Sequence, residues 1–560
     1  MINVRQLVGS MLGVLVAQAT AVGAVVYVDS TAGVGGDGSS WEAPYKFLDD
    51  AMAVAQAGDE VWCRAGSYGK CTLVSGVKVY GGFTGTETAA GERNPFANFT
   101  RMMASGPIVW AVDCDSTTLV DGFTITSGTA ITSGANVRIT GGAPVFRDCT
   151  ITDGRAALGS GVVCLNGSPT FVDCNIDANF GLDGGTGTGI YASGSGTLTL
   201  IRTSVSFNAA YQAEFNANSG HGAGLYTDNT VVVMAEDCVF DLNYCFYNNN
   251  DGYPQMGGGV RLGPGGGFFD RCYFARNFAS YGGAICSYGP LDVVNSVFEG
   301  NRAADYGCVA PICPSGPIMD PGRGGAIATF NAGTANIVGC TIAANWAGKL
   351  AGAVNITGTI SDSILWSNKT APVCCGEDPP PPQRIAADGN IVWSHCAVQE
   401  ILTPEPGQDP IDPALYPGCF QDDPLFVTNG VVSNLGQLTT YGDYHLQAGS
   451  LAIDAADNAL AGGLQYDFEG MTRFVDDPAT VDTGVGPGPI MDMGAFEVQA
   501  PAGCAGDANG DLIVDLGDLS VVLFNFGTSV APGTSGDIDG SGIVDLADLS
   551  IVLFNFGLIC

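Results

Sequence analysis

The sequence predicts an all-β chain: a right-handed parallel β-helix (a solenoid), opened by an N-terminal helix-and-strand cap and followed by a small α-helical, EF-hand-like calcium module at the C-terminus. Three observations predict it. Short strand-like segments recur through residues 141–370 with side-chain type kept column by column. Glycine supplies 82 of the 560 residues, while only 14% of residues are charged. Two near-copies of one acidic loop, each leading into almost the same helix, end the chain.

Residues 1–24 read as a secretory signal peptide. Arg5 gives the positive end, Leu7 to Val16 the apolar stretch, and A-T-A-V-G-A the small-residue exit before Val25. No later run approaches the ~18 apolar residues of a membrane helix. The mature chain is therefore expected to be secreted, extracellular or at a bacterial cell surface, with no transmembrane segment. A net charge of -36, with only 20 Lys and Arg, excludes nucleic acid as a partner, because such binding needs a basic face. The composition is too apolar for disorder and lacks the collagen triplet. Nineteen cysteines in an exported chain favour disulfides, and the odd count leaves at least one without an internal partner.

The repeat emerges when F-R-D-C-T-I, F-V-D-C-N-I, L-I-R-T-S-V, E-D-C-V-F, D-R-C-Y-F, V-N-S-V-F, V-G-C-T-I and S-D-S-I-L are aligned. One column holds small side chains: Cys149, Cys174, Thr203, Cys238, Cys272, Ser296, Cys340 and Ser363. Two residues on lies an apolar column, Ile151, Ile176, Val205, Phe240, Phe274, Phe298, Ile342 and Leu365. Further along, in all but the first segment, stands Asn: Asn179, Asn208, Asn243, Asn277, Asn301, Asn345 and Asn368. A glycine-rich box precedes most segments, from G-S-G-V ending at Val162 to A-G-A-V ending at Val354. The alternation inside each segment has a strand's period. One coil cannot bury its apolar side alone, but stacked coils share a core. Equivalent residues then sit at about the 4.8 Å strand spacing, so the Asn column predicts a ladder of amide hydrogen bonds. The long intervals from Thr203 to Cys238 and from Ser296 to Cys340 imply extruded loops.

Residues 25–106 read as the cap and first coils, with an amphipathic stretch over Tyr45–Ala57. Residues 107–498 hold the β-helix and its closing segment, which carries D-P-L-F (Asp423–Phe426), G-D-Y-H-L (Gly442–Leu446), A-I-D (Ala452–Asp454) and D-M-G-A-F-E (Asp492–Glu497). Both flanks resemble those of secreted bacterial β-helices of the pectate-lyase-like group. The G-G-A-I boxes at Gly282 and Gly324, with F-E-G-N at Phe298–Asn301, resemble the repeats of polymorphic outer-membrane proteins, which are adhesin-like surface β-helices. Residues 499–503 read as a linker.

The tail, residues 504–560, is the most explicit chemistry. Its first loop runs from Asp507 to Asp518 and its second from Asp537 to Asp548. Oxygen donors stand at loop positions 1, 3, 5, 9 and 12: Asp507, Asn509, Asp511, Asp515 and Asp518, then Asp537, Asp539, Ser541, Asp545 and Asp548. Ile513 and Ile543 at position 7 contribute through their backbone carbonyls. Two calcium ions are expected, because the clustered carboxylates would otherwise repel one another. The doubled loop–helix with Asp at position 12 resembles a type I dockerin, which implies a cohesin-like receptor or cell-surface anchor as partner. Two departures stand out: Leu512 replaces the usual Gly at position 6 of the first loop, and positions 10 and 11 are Leu516-Gly517 and Leu546-Ala547. Some dockerins clasp cysteines that bracket the module, as Cys504 and Cys560 do.

No strong catalytic constellation is legible. G-H-G at Gly220–Gly222 lacks the accompanying elements of a polygalacturonase-like site, and His221 reads as a turn residue. His395 and His445 default to structure. Arg202 and Arg271 lie where a solvated ion pair is the ordinary explanation. A possible ligand loop runs from Tyr244 to Tyr253, where Tyr244, Phe246, Tyr247 and Tyr253 interleave with Asn249 and Asp251. A plain solvated loop is the alternative. The cysteine column allows disulfides between neighbouring coils, Cys149–Cys174 and Cys238–Cys272, or buried thiols. Cys63–Cys71, Cys308–Cys313 and Cys396–Cys419 are further bridges to test. The leading expectation is an exported, carbohydrate-directed, adhesin-like binding protein tethered by its tail. A polysaccharide lyase or O-glycosyl hydrolase is the alternative, and a structural spacer the third.

Overall fold

The computed structural model describes residues 23–211, 220–246, 255–304, 322–348, 350–370, 387–401, 412–433, 436–499, 506–509, 513–530, 534–539 and 541–558. Among the described residues parallel strands form four sheets, of thirteen, twelve, eight and eleven strands in the order the coil visits them. This is the right-handed parallel β-helix that the repeat predicts. One coil shows the scheme: Val145–Arg147 in the first sheet, Thr150–Thr152 in the second, Arg155–Leu158 in the third and Val162–Leu165 in the fourth. The next coil lies on it in register, Val145 opposite Thr170, Thr150 opposite Asn175, Arg155 opposite Phe180 and Val162 opposite Ile190. The chain groups into two compact units, Met1–Met234 with Asn243–Asn249, and Ala235–Leu242 with Asn250–Cys560. Among the described residues no helix is long and apolar enough to cross a membrane.

The corners explain the columns. The residue before each small-column position has left-handed backbone: Asp148, Asp173 and Arg202 in the first unit, Asp237, Arg271, Asn295, Gly339 and Asp362 in the second. Such a residue turns the chain from the first sheet to the second within two positions. The small side chain then closes the corner by donating to the carbonyl two residues back. Cys149 Sγ reaches Arg147 at 3.2 Å, Thr203 Oγ1 reaches Ile201 at 3.0 Å, and Ser296 and Ser363 reach Val294 and Ser361 at 2.7 Å. Cys, Ser and Thr therefore share the column as donors, not only as small groups.

Those same bonds decide between the two readings of the cysteines. Cys63, Cys71, Cys149, Cys174, Cys238, Cys272, Cys396 and Cys419 are free thiols. The expected bridges Cys149–Cys174, Cys238–Cys272, Cys63–Cys71 and Cys396–Cys419 are not formed. In-register parallel strands hold equivalent side chains about 4.8 Å apart, beyond the ~3.8 Å between Cβ atoms that a disulfide takes. Each corner thiol also points at backbone carbonyls, Cys174 Sγ at Val172 and Phe146 at 3.3 and 3.5 Å. Cys308, Cys313, Cys504 and Cys560 lie outside the described residues.

The amide ladder is present in each unit. Asn179 Nδ2 donates to Asn208 Oδ1 at 3.0 Å, and Asn208 to Asn243 at 3.1 Å. Asn277, Asn301, Asn345 and Asn368 continue the same pattern in the second unit, at 3.0, 3.0 and 3.1 Å. Where the first segment lacks Asn, Asn136 fills the row by donating to Asn179 Oδ1 at 3.3 Å. In the apolar column Phe240, Phe274 and Phe298 stack face to face, with centroids 4.8 and 4.6 Å apart.

At the N-terminal end the amphipathic stretch forms one short helix, α1 (Leu48–Val54), which buries Leu48, Ala51 and Met52. At the other end the closing segment folds back over the second sheet. Phe426, Tyr444, Met491, Met493 and Phe496 cover the outward side chains Val297, Ala343 and Ile364. Glu299 anchors this cover: its carboxylate accepts from Tyr273 Oη, Tyr444 Oη and Gly442 N–H at 2.7, 2.8 and 2.6 Å. Asp362 pins it a second time, its Oδ1 accepting from Asp457 N–H at 2.8 Å.

Candidate functional site

In the second unit the closing segment covers the outer face of the second sheet around Val297, Ala343 and Ile364. In the first unit the equivalent positions are polar and stay half-exposed. They form two files along the stack: Thr124, Thr150, Asn175 and Ser204 in one, and Thr126, Thr152, Asp177 and the more buried Ser206 in the other. Between them the apolar column points inward, so each strand offers solvent two polar tips per coil. Asn175 Nδ2 donates to Asp177 Oδ2 at 2.9 Å, and the Ser204 and Ser206 hydroxyls lie 2.8 Å apart.

Aromatics border this grid at the next corner. Phe207 follows Ser206 directly, has left-handed backbone (φ 56) and is 55% exposed. The left-handed backbone belongs to this corner in every coil, as at Asp153 and Ala178 in the same unit, so what sets Phe207 apart is its exposed ring. Phe180 is 41% exposed, and the Arg155 guanidinium lies 5.6 Å from its ring centroid. Two residues beyond Phe207, Ala209 pairs with Tyr244. The expected ligand loop thus leaves the scaffold beside the grid. Tyr244 is placed on the strand Tyr244–Phe246, whereas Tyr247, Asn249, Asp251 and Tyr253 lie outside the described residues. Sequence reading missed the grid because its members sit on separate coils. The available signal was T-I-T, T-I-T, N-I-D and S-V-S, polar residues flanking each apolar-column residue.

The other flagged residues fall to structure. Arg202 forms a bidentate pair with Asp173 at 2.7 and 2.8 Å, which holds that carboxyl below its ordinary value. Arg271 bonds Asp237 and Asp270 at 2.7 and 2.6 Å. His395 Nδ1 faces Ser394 Oγ at 2.9 Å, and burial lowers its pKa. His445 is held between Asp443 at 2.7 Å and Glu469 at 3.3 Å. The carbonyl of His221 accepts from Gly187 N–H at 3.0 Å, as a turn residue's does.

The tail builds two equivalent halves. Helices α2 (Leu516–Asn525) and α3 (Leu546–Asn555) are capped by Asp515 and Asp545, whose side chains accept from Gly517 and Ala547 N–H at 2.6 and 2.7 Å. Val514, Val522, Val544 and Val552 form the shared core. Position 12 is buried in both loops: Asp518 accepts from Ala508, Asn509 and Asp515 N–H, and Asp548 from Ile538, Asp539 and Asp545 N–H. In the second loop Asp537, Asp539 and Asp548 bring carboxylate oxygens within 4.8 Å of one another, and Ser541 Oγ lies 3.2 Å from Asp537 Oδ1. Such an all-oxygen donor set suits a hard divalent cation. Asp545 and Asp515 serve visibly as helix caps, and Asp511 lies outside the described residues. Each helix also presents an apolar patch to solvent: Phe524 and Phe554 are 89% and 90% exposed, Leu516 and Leu546 both 68%.

No family model and no curated protein matches this chain. Among solved structures it is similar to pectate lyase Pel9A, with a TM-score of 0.39 and 15% identity over 85% of this chain and 97% of that one. XylC in complex with xylose gives 0.39 and 10%, covering 85% and 98%. The PL6 family alginate lyase AlyGC gives 0.32 and 11%, covering 81% and 60%. At these identities the likeness concerns the fold alone.

Proposed function

We propose that the protein is an exported, glycan-binding β-helix, tethered by a calcium-dependent C-terminal module of dockerin type. The observation that carries the binding role is the open grid of hydroxyl, amide and carboxylate groups on the first unit, bordered by Phe180 and Phe207. Hydroxyl and amide groups pair with sugar hydroxyls, and an exposed ring packs on the apolar face of a sugar. A chain of sugars lying along the stack would meet a new pair of polar tips at each coil.

The tail supports the tether. Two calcium ions would be held by Asp507, Asn509, Asp511, Asp515, Asp518 and the Ile513 carbonyl, and by Asp537, Asp539, Ser541, Asp545, Asp548 and the Ile543 carbonyl. Bound calcium supplies the positive charge that offsets the clustered carboxylates. The duplicated patches of Leu516 with Phe524 and Leu546 with Phe554 suit a cohesin-like receptor, since exposed apolar patches of this kind mark protein contacts.

A panel of neutral and acidic glycans, including pectins and alginates, tests the binding role. Retention on at least one glycan is expected, weakened about tenfold by Phe207→Ala or Asp177→Ala with unfolding temperature unchanged. New reducing ends or unsaturated products would instead make the protein a polysaccharide lyase or hydrolase. Absence of both binding and products would leave the spacer role.

A further inference from the structure

The closing segment carries a second group of oxygen donors. A-I-D ends at Asp454, which has left-handed backbone (φ 49) and is fully buried. Its position is fixed on several sides. Its N–H donates to Asp492 Oδ1 at 2.8 Å, and its carbonyl accepts from Thr483 and Gly484 N–H, both at 3.0 Å. The side chain is less well satisfied. Oδ2 accepts a long bond from Asp477 N–H at 3.3 Å, while Oδ1 is buried with no hydrogen-bond partner among the described residues. The Asp454 carboxylate meets those of Asp476 and Asp482, with oxygens of all three within 4.8 Å of one another. Asp476 and Asp482 are exposed. The buried guanidinium of this segment, Arg473, is directed instead to the carbonyls of Asp492 and Gly494.

A buried carboxylate oxygen without a partner is costly, and three carboxylates at this range repel one another. One hard cation at their centre relieves both. Metal–oxygen distances of about 2.3–2.6 Å let ligand oxygens lie up to roughly 5 Å apart, so three oxygens this close can share one calcium-type ion. We propose that Asp454, Asp476 and Asp482 hold a calcium-type divalent cation that ties the 476–484 loop to the core of the closing segment. The two exposed ligands leave the remaining coordination positions to water. This site does not rest on the calcium reading of the tail.

The test uses the full chain and calcium alone. Asp507→Ala with Asp537→Ala silences the tail; calorimetry should then still show one bound calcium. Adding Asp476→Asn and Asp482→Asn, exposed changes that leave the backbone bonds intact, should weaken that ion at least tenfold. In the otherwise unaltered chain the same two Asn substitutions should lower calcium stoichiometry by one. Calcium should also slow proteolysis within residues 476–484, and this protection should vanish in the Asn pair. A tail-silenced chain that unfolds like the parent yet binds no calcium would overturn the site, as would stoichiometry and affinity unchanged by the Asn pair.

Discussion

Each corner of the coil asks one side chain for a hydrogen-bond donor short enough to reach back two residues. Cys340 Sγ meets the Val338 carbonyl at 3.4 Å where Ser363, one coil on, meets Ser361 at 2.7 Å. Cys340→Ser should therefore shift the unfolding free energy by less than about 1 kcal/mol, while Cys340→Val, which removes the donor, should cost about 2 kcal/mol. Chemical denaturation of the two variants checks this. Burial pushes the Cys340 thiol up to about 12 and Cys245 equally. Thiolate is the reactive form, so iodoacetamide should label these cysteines only after unfolding. The sequence displayed the column but not its purpose, because Cys, Ser and Thr read there merely as small. Their shared ability to donate is visible only once the left-handed residue before each is known.

At the scale of the coil, the amide ladder is the element most exposed to a single change. Asn301 accepts from Asn277 N–H and Nδ2 at 3.1 and 3.0 Å and donates to Phe274 O and Asn345 Oδ1 at 2.8 and 3.0 Å, all without solvent. Asn301→Ala strands several buried polar groups at once and should cost about 3 kcal/mol, read from denaturant unfolding. This ladder was fully legible, since one residue type at one position in successive repeats has few other meanings. The third sheet was not. In the second unit its strands, such as Arg302–Ala303 and Trp346–Ala347, span two residues and carry no alternation to read. The polar grid escaped for a related reason: T-I-T looks like an ordinary half-buried strand until its neighbours are stacked on it. The acidic tail loops stood out residue by residue, because their oxygen-bearing side chains recur at one spacing within a short segment.

For the whole molecule, stability depends on how the cover is pinned. Burial lifts the Asp362 carboxyl to about 7 from an ordinary 3.8, against the opposing pull of Asp457 N–H. The folded state therefore keeps a proton that the unfolded chain releases. The resulting stability is present in full below about 4 and is lost as pH rises through about 7. Asp362→Asn, whose side chain does not titrate, should shrink the fall in unfolding temperature between pH 4.5 and 7.5 relative to the parent chain. Chelation addresses the other end. If calcium holds the tail loops, EDTA should abolish a low-temperature unfolding transition and leave the β-helix transition in place. The closing segment's motifs were visible in the sequence, but their role as a cover over the second sheet was not, because the residues they meet lie far back in the chain, as Gly442 meets Glu299 and Asp457 meets Asp362.

The second sheet changes character along its length: apolar beneath the cover, polar where Thr150, Asn175 and Ser204 follow one another. Because the coils at Cys149 and Cys174 lie in register, strand on strand, a complete turn could be spliced out or duplicated between them. The polar stretch is in this sense a ruler whose graduations can be added or removed one at a time, and on the proposed glycan-binding role the length of sugar chain it accommodates should change in the same steps.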